Sequence, residues 1–332
     1  MDGSLLLDAP LRHHRGEILE RLRAYLRRRG PNALPFGPLP EAGELGERLC
    51  ALAGPSFRVA MPAVSDGDAL DNALKLARAA TGRRPLLACP GPRRAVSLGA
   101  LSLRGSRGAA ALLPECELVP LEPVALEQAL GRSQPAALLV EPVEPDLRPH
   151  GPSLLKHAEI LCKEAGVLLI VDETLTGLGR CGHRFAFQNA GLSPAAVVVG
   201  PSLGGGALAI AATVVQGEVY DRASGGERSL DLSTATMAGS AAACEAALGF
   251  LDVLEREQLA RRAASSGARL LAGLRAALGP AARVEGAGLL VGVRRSGGDP
   301  VRLVAPPLDA SEEEIDALVR RSAGGALPGV LR

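Results

Sequence analysis

At 332 residues, with 47% hydrophobic and 22% charged positions, the chain has the composition of a globular α/β protein with one large and one smaller domain. A formal net charge of +1, 2% aromatics and no Trp remove the electrostatic and stacking basis for a nucleic-acid partner, and give no reason for an anionic membrane. No apolar run approaches a membrane span, and six scattered cysteines show neither a CxxC pair nor metal-ligand spacing, so a cytoplasmic chain with inert thiols and no metal is expected.

Residues 17–29 place apolar side chains at 18, 19, 22, 25 and 26, helical spacing with a basic opposite face, ended by Gly30-Pro31. A turn-rich stretch runs on to Pro40. Residues 57–64 read as a strand and 71–81 as a helix closed by Gly82. The apolar runs 85–89, 137–141, 167–171, 195–199 and 210–215 suit strands buried on both faces of a parallel sheet. An amphipathic helix over 153–165 lies between two of them. The pattern is that of a doubly wound α/β domain, whose ligands sit at the carboxyl ends of the strands. Ala- and Leu-rich helical periods at 241–257 and 259–278 lead to a smaller part with apolar segments 284–293 and 301–308. A helix over 311–321 follows, with Ser311 and Glu314 spaced as a capping box. Three parts are expected: an N-terminal helix and arm (1–40), a large domain (41–255) and a truncated small domain (256–332).

Two stretches carry chemistry. Val171-Asp172-Glu173-Thr-Leu-Thr-Gly177-Leu-Gly179-Arg180 follows one apolar run, and Pro201-Ser-Leu-Gly204-Gly-Gly206 follows another. Together they resemble the core of the class III aminotransferases, the ornithine and 4-aminobutyrate aminotransferase family of pyridoxal-phosphate (PLP) enzymes. The segments 73–82, 99–105, 140–143, 251–255 and 302–308 fall in that family's order as well, so the resemblance covers nearly the whole chain. It implies the PLP-dependent transferase fold of type I: a mostly parallel sheet flanked by helices, with a small C-terminal α/β domain.

The resemblance also implies roles. Asp172 matches the aspartate held against the cofactor's pyridine nitrogen, which keeps the ring protonated and able to accept electrons. The alternative is that a carboxylate at a strand end is merely a turn or cap residue. Ser65-Asp66-Gly67-Asp68-Ala69 matches the phosphate-binding turn, where Ser65 and Gly67 are the candidate ligands. Asp66 adds a negative charge there; two unit charges ~4 Å apart interact by about 4 kcal/mol at an effective dielectric of ~20. Arg93 stands in the segment where many members stack an aromatic ring on the cofactor, and Leu175 replaces a glutamine that holds the ring oxygen. Thr236 matches a threonine that reaches the neighbouring subunit's phosphate. Arg302 matches the arginine that grips a substrate carboxylate, Asp146 stands at the glutamate that gates it, and Glu141 lies in the family's Glu-Pro segment as a further substrate-side residue. Arg302 and Asp146 read equally well as structural salt-bridge residues.

At the position of the family's Schiff-base lysine the chain has Pro201, which offers no amine. The only lysines, at 75, 156 and 163, fall on expected helices. Three readings follow. The first is a non-catalytic homologue acting as a structural or regulatory subunit, in a homodimer or in a heterodimer with an active paralogue. The second is a PLP-dependent enzyme that holds its cofactor non-covalently through Asp172, Gly67 and Arg93. The third is a sensor of small carboxylates or amines.

Overall fold

The computed structural model describes residues 10–12, 15–32, 39–92, 95–104, 112–225, 236–295 and 299–324; Arg93 lies outside them. Seven strands form the main sheet: β1 (Phe57–Ala63), β2 (Leu86–Ala88), β3 (Cys116–Leu118), β4 (Ala137–Val140), β5 (Leu168–Asp172), β6 (Ala196–Val199) and β7 (Ala211–Gln216). Their spatial order is β1-β7-β6-β5-β4-β2-β3. The five strands from β3 to β6 pair in parallel, whereas β7 is antiparallel to both β6 and β1.

The expected strand 210–215 therefore exists but runs against the parallel set. Its link to β6 is a 3-10 turn (Pro201–Gly204) and a few more residues, too short for the crossover helix that a parallel return needs.

Both sheet faces are covered. Along β4, Leu138 and Val140 enter one core while Ala137 and Leu139 enter the other, the period-2 alternation of a strand buried on both sides. The first core takes side chains from α2 (Pro40–Ala53), α5 (Pro123–Ser133), α6 (Pro152–Glu164) and α9 (Ala241–Arg256). The second takes them from α3 (Asp66–Thr81) and α8 (Gly217–Ser224). Helix α3 begins five residues before the sequence expectation because Ser65 caps it and two aspartates fill its first turn. Helices α1 (Gly16–Arg28) and α7 (Ala186–Asn189) add to the first core, and α4 (Leu98–Ser102) to the second.

The C-terminal part consists of α10 (Leu259–Leu278), an antiparallel sheet ordered β10-β9-β8, and α11 (Glu312–Ala323). The segment expected as one apolar run, 284–293, is the hairpin β8 (Arg283–Ala287) and β9 (Leu290–Arg294), with β10 (Arg302–Val304) beside it. Gly288 turns this hairpin at φ 52°, and a side chain there would run into the Arg180–Gly182 backbone. A Cβ on Gly267 of α10 would in turn collide with the Gly288 carbonyl. Two bare backbones thus meet where the main and small sheets join.

The N-terminal segment ties distant parts together. The Leu308 N–H donates to the Pro10 carbonyl (2.8 Å), and Arg15 pairs with Asp309 (2.9 Å). Helix α1 lies on α9, where the buried Glu245 pairs with both Arg21 (2.5 Å) and Arg28. Among the described residues no helix is long and apolar enough to cross a membrane.

Candidate functional site

Strands β2, β4, β5 and β6 run parallel, and β1 shares their direction because it and β6 both oppose β7. Their carboxyl ends therefore lie along one edge of the sheet. The topology brings Ser65 and Gly67 (after β1), Glu141 (after β4), Asp172 (ending β5) and Pro201 (after β6) to that edge.

Asp172 is 3% exposed, and its Oδ1 accepts the Thr174 N–H at 3.0 Å. The next residue, Glu173, braces this turn: its N–H donates to the Val198 carbonyl (2.9 Å). Its carboxylate accepts the Thr176 hydroxyl (2.5 Å) and the Phe187 N–H (2.7 Å). Burial pushes the Glu173 carboxyl up to about 7. The ends of β5 and β6 are in close contact, since a Cβ on Gly200 would fall 2.9 Å from Thr174. Pro201 then opens the 3-10 turn at its first position, where a missing N–H leaves no hydrogen bond unmade. Local structure accommodates the proline without strain, and no amine projects from this turn. Lys75 lies on α3, and Lys156 and Lys163 lie on α6.

At the start of α3 the chain satisfies its own helix N-terminus. Ser65 Oγ accepts the Asp68 N–H (3.1 Å), and Asp66 Oδ1 accepts the Gly67 N–H (2.8 Å). Asp68 Oδ2 accepts the Val64 N–H (3.1 Å). Gly67 is buried beneath Ser97, whose Cβ would stand 2.9 Å from a Cβ added to it. The Ser97 hydroxyl donates to Asp71 (2.8 Å), which also accepts the Gly99 N–H (3.1 Å). Burial holds the Asp71 carboxyl above its ordinary value and the neighbouring Lys75 ammonium below its own.

The remaining candidates are distributed less tightly. Glu141 is 2% exposed and packs against Gly91, where any side chain would collide with its carboxylate. Thr236 is exposed, in a turn whose Gly239 lies against Pro62 of β1. Asp146 Oδ2 pairs with Arg283 (3.4 Å) and its Oδ1 accepts the Arg148 N–H (3.2 Å), so its carboxylate is held by β8 and its own turn and not by Arg302. Its place explains why: the Asp146 carbonyl lies against Gly292 of β9, bringing its side chain within reach of β8. Arg302 is half-buried on β10 and has no ion-pair partner among the described residues. Leu175 is 8% exposed and joins Val143, Leu147, Leu290 and Leu303 in an apolar cluster between the strand-end loops and the small sheet.

Sequence reasoning did not find Arg283 as the partner of Asp146, since 137 residues separate them. It also assigned no role to Arg180, which is buried and has no ion-pair partner among the described residues. Its Nη1 donates to the Pro306 carbonyl (2.5 Å), and burial lowers its guanidinium to about 10.

These positions bear on whether pyridoxal phosphate fits. Asp172, a buried carboxylate at the end of β5, has the chemistry to face a ring nitrogen. The phosphate end does not fit: the Gly67 and Asp68 N–H groups already have partners, and one of these partners is a carboxylate. A leucine buried among aliphatic side chains can give no hydrogen bond to a ring oxygen. Position 201 offers no covalent anchor.

A family model described as aminotransferase class-III matches residues 38–306. Aminotransferase PigE of Serratia sp. is 30% identical over 311 residues, covering 88% of this chain but 36% of that protein, so the chain spans about a third of its length. Ornithine aminotransferase of Bacillus subtilis is 29% identical over 318 residues, covering 85% and 77% of the two chains. The crystal structure of ornithine aminotransferase from Toxoplasma gondii superposes with a TM-score of 0.86 at 25% identity, covering 97% of this chain and 85% of that one.

Proposed function

This chain belongs to the class III aminotransferase family, and from that premise we propose that it is a member without transaminase activity, retained as a structural or regulatory subunit of a dimer. The dimer would form with a second copy or with an active paralogue. One feature carries the reading: Pro201 opens the segment that resembles the family's lysine motif, at the place where that resemblance puts the lysine. That lysine anchors the cofactor and moves a proton between substrate and cofactor, general acid–base work worth about 10²–10⁴-fold. Proline can do neither, and the nearest amines in sequence lie on helices packed over the sheet.

The changes around it point the same way. Leu175 belongs to an apolar cluster, and the start of α3 is satisfied by its own side chains. Once the amine is gone, selection no longer maintains the groups that hold a cofactor, and packing or capping residues replace them. The test is a titration of the folded protein with pyridoxal phosphate, followed by visible circular dichroism. A flat response is expected. An induced, saturable band would overturn the reading and favour an enzyme that binds its cofactor non-covalently.

A second reading, a sensor of small carboxylates or amines, is favoured by Arg302. A half-buried guanidinium without an ion-pair partner among the described residues is suited to a carboxylate. Thermal-shift titration with small amino acids separates the two: a saturable stabilisation, lost in Arg302→Ala, selects the sensor.

A further inference from the structure

We propose that Asp66 closes the anion site at the start of α3 from within, its carboxylate standing where a cofactor phosphate would bind. This inference rests on the family assignment but not on Pro201.

A helix N-terminus presents unmet N–H groups and a partial positive charge, and so is stabilised by an anion. In this chain the anion is intramolecular. Asp66 Oδ1 accepts the Gly67 N–H at 2.8 Å, Ser65 Oγ takes the Asp68 N–H at 3.1 Å, and Asp68 Oδ2 turns back to the Val64 N–H at 3.1 Å. Gly67 is itself buried, with Ser97 over it, so its N–H is not simply open to solvent. A phosphate approaching this turn would have to displace one carboxylate and sit beside another. Lys75, two turns beyond Asp68 on α3, lies in the field of Asp68 and Asp71, but its buried ammonium makes no hydrogen bond among the described residues and does not offset the carboxylates at the helix start. The helix keeps the stabilisation that an anion gives it while no longer needing a ligand to supply that anion.

The test uses the full chain and two variants, Asp66→Gly and Asp66→Asn, with folding checked by thermal melting. Asparagine keeps the acceptor oxygen and the side chain's shape and removes only the charge. Calorimetric titration with inorganic phosphate and with 4-deoxypyridoxine phosphate, which lacks the aldehyde, reads the anion site alone. The wild type should bind both weakly, and Asp66→Gly should bind both about ten- to a hundredfold more tightly, the worth of one charge-assisted hydrogen bond regained. Asp66→Asn should gain less. Wild-type affinity equal to that of Asp66→Gly, or no gain in either folded variant, overturns the proposal. Failure of the non-catalytic reading looks different. A wild type that takes up pyridoxal phosphate and unphosphorylated pyridoxal equally well would end that reading and leave Asp66 in place.

Discussion

Glu173 lies one residue beyond Asp172, fully enclosed, and receives hydrogen bonds from Thr176 and Phe187. Burial outweighs those bonds and holds its carboxyl at about 7 against an ordinary 4.5. The sign of the resulting pH dependence is the reverse of that for a salt-bridged carboxylate. Between the two values the folded chain binds more proton than the unfolded one, so stability from this group is present in full below 4.5 and is lost as pH rises through 7. The span corresponds to about 3 kcal/mol at most. Urea unfolding at pH 5 and pH 8 should therefore show the wild type losing ground to Glu173→Gln, which cannot ionise. Parallel behaviour of the two proteins would mean that the carboxylate remains charged on its donors. At this scale the sequence was partly legible. Asp172 and Pro201 stand out because their neighbours are a recognisable run. The engagement of Asp66 with Gly67 and the pairing of Asp146 with Arg283 depend on side-chain direction and on tertiary contact, which spacing does not encode.

Among the elements, α11 was the most readable. Ser311 Oγ accepts the Glu314 N–H (3.3 Å) while Glu314 Oε2 accepts the Ser311 N–H (2.8 Å), the reciprocal pair that the spacing implied. Ser311→Ala should cost about 1 kcal/mol of stability by chemical denaturation, and Ser311→Asp, which keeps an acceptor, should lose much less. No loss in the alanine variant would show that α11 is held by its packing on α10 alone. Other elements were hidden for identifiable reasons. Helix α2 contains Gly43 and Gly46, which dilute its helical signal, yet it forms because Leu45, Leu49 and Leu52 reach the core. The short β3 has three residues, none fully buried, so it lacks the apolar run that marked the central strands. Strand β7 was found by composition, but direction is a property of the connection and not of the strand.

For the whole molecule, the family resemblance implies one residue for a partner to meet. Thr236 is exposed, in a turn whose Gly239 lies against β1, and the family resemblance implies that it would reach a neighbouring subunit. If this chain pairs with an active paralogue, Thr236→Ala should weaken the paralogue's hold on pyridoxal phosphate about tenfold or more, through one lost hydrogen bond to a charged group. Co-purified mixed dimers, titrated with the cofactor, give the measurement; unchanged affinity would sink the heterodimer idea while leaving self-association open. The fold itself was legible as a whole because strand–helix alternation with fully apolar strands admits few arrangements. The join between the two sheets was not, since it is made by glycines and carbonyl groups that carry no pattern.

The seating of α1 on α9 has a consequence for how the protein is made. Arg21 and its partner Glu245 are 224 residues apart, so a ribosome adding about 5–20 residues per second emits α1 roughly 10–45 seconds before its partner emerges. During that interval Ile18 and Tyr25, both buried in the finished protein, have no surface to cover them. Until α9 emerges, those two side chains must stay exposed or find a temporary cover, so the order of synthesis leaves the first helix waiting for the last third of the chain.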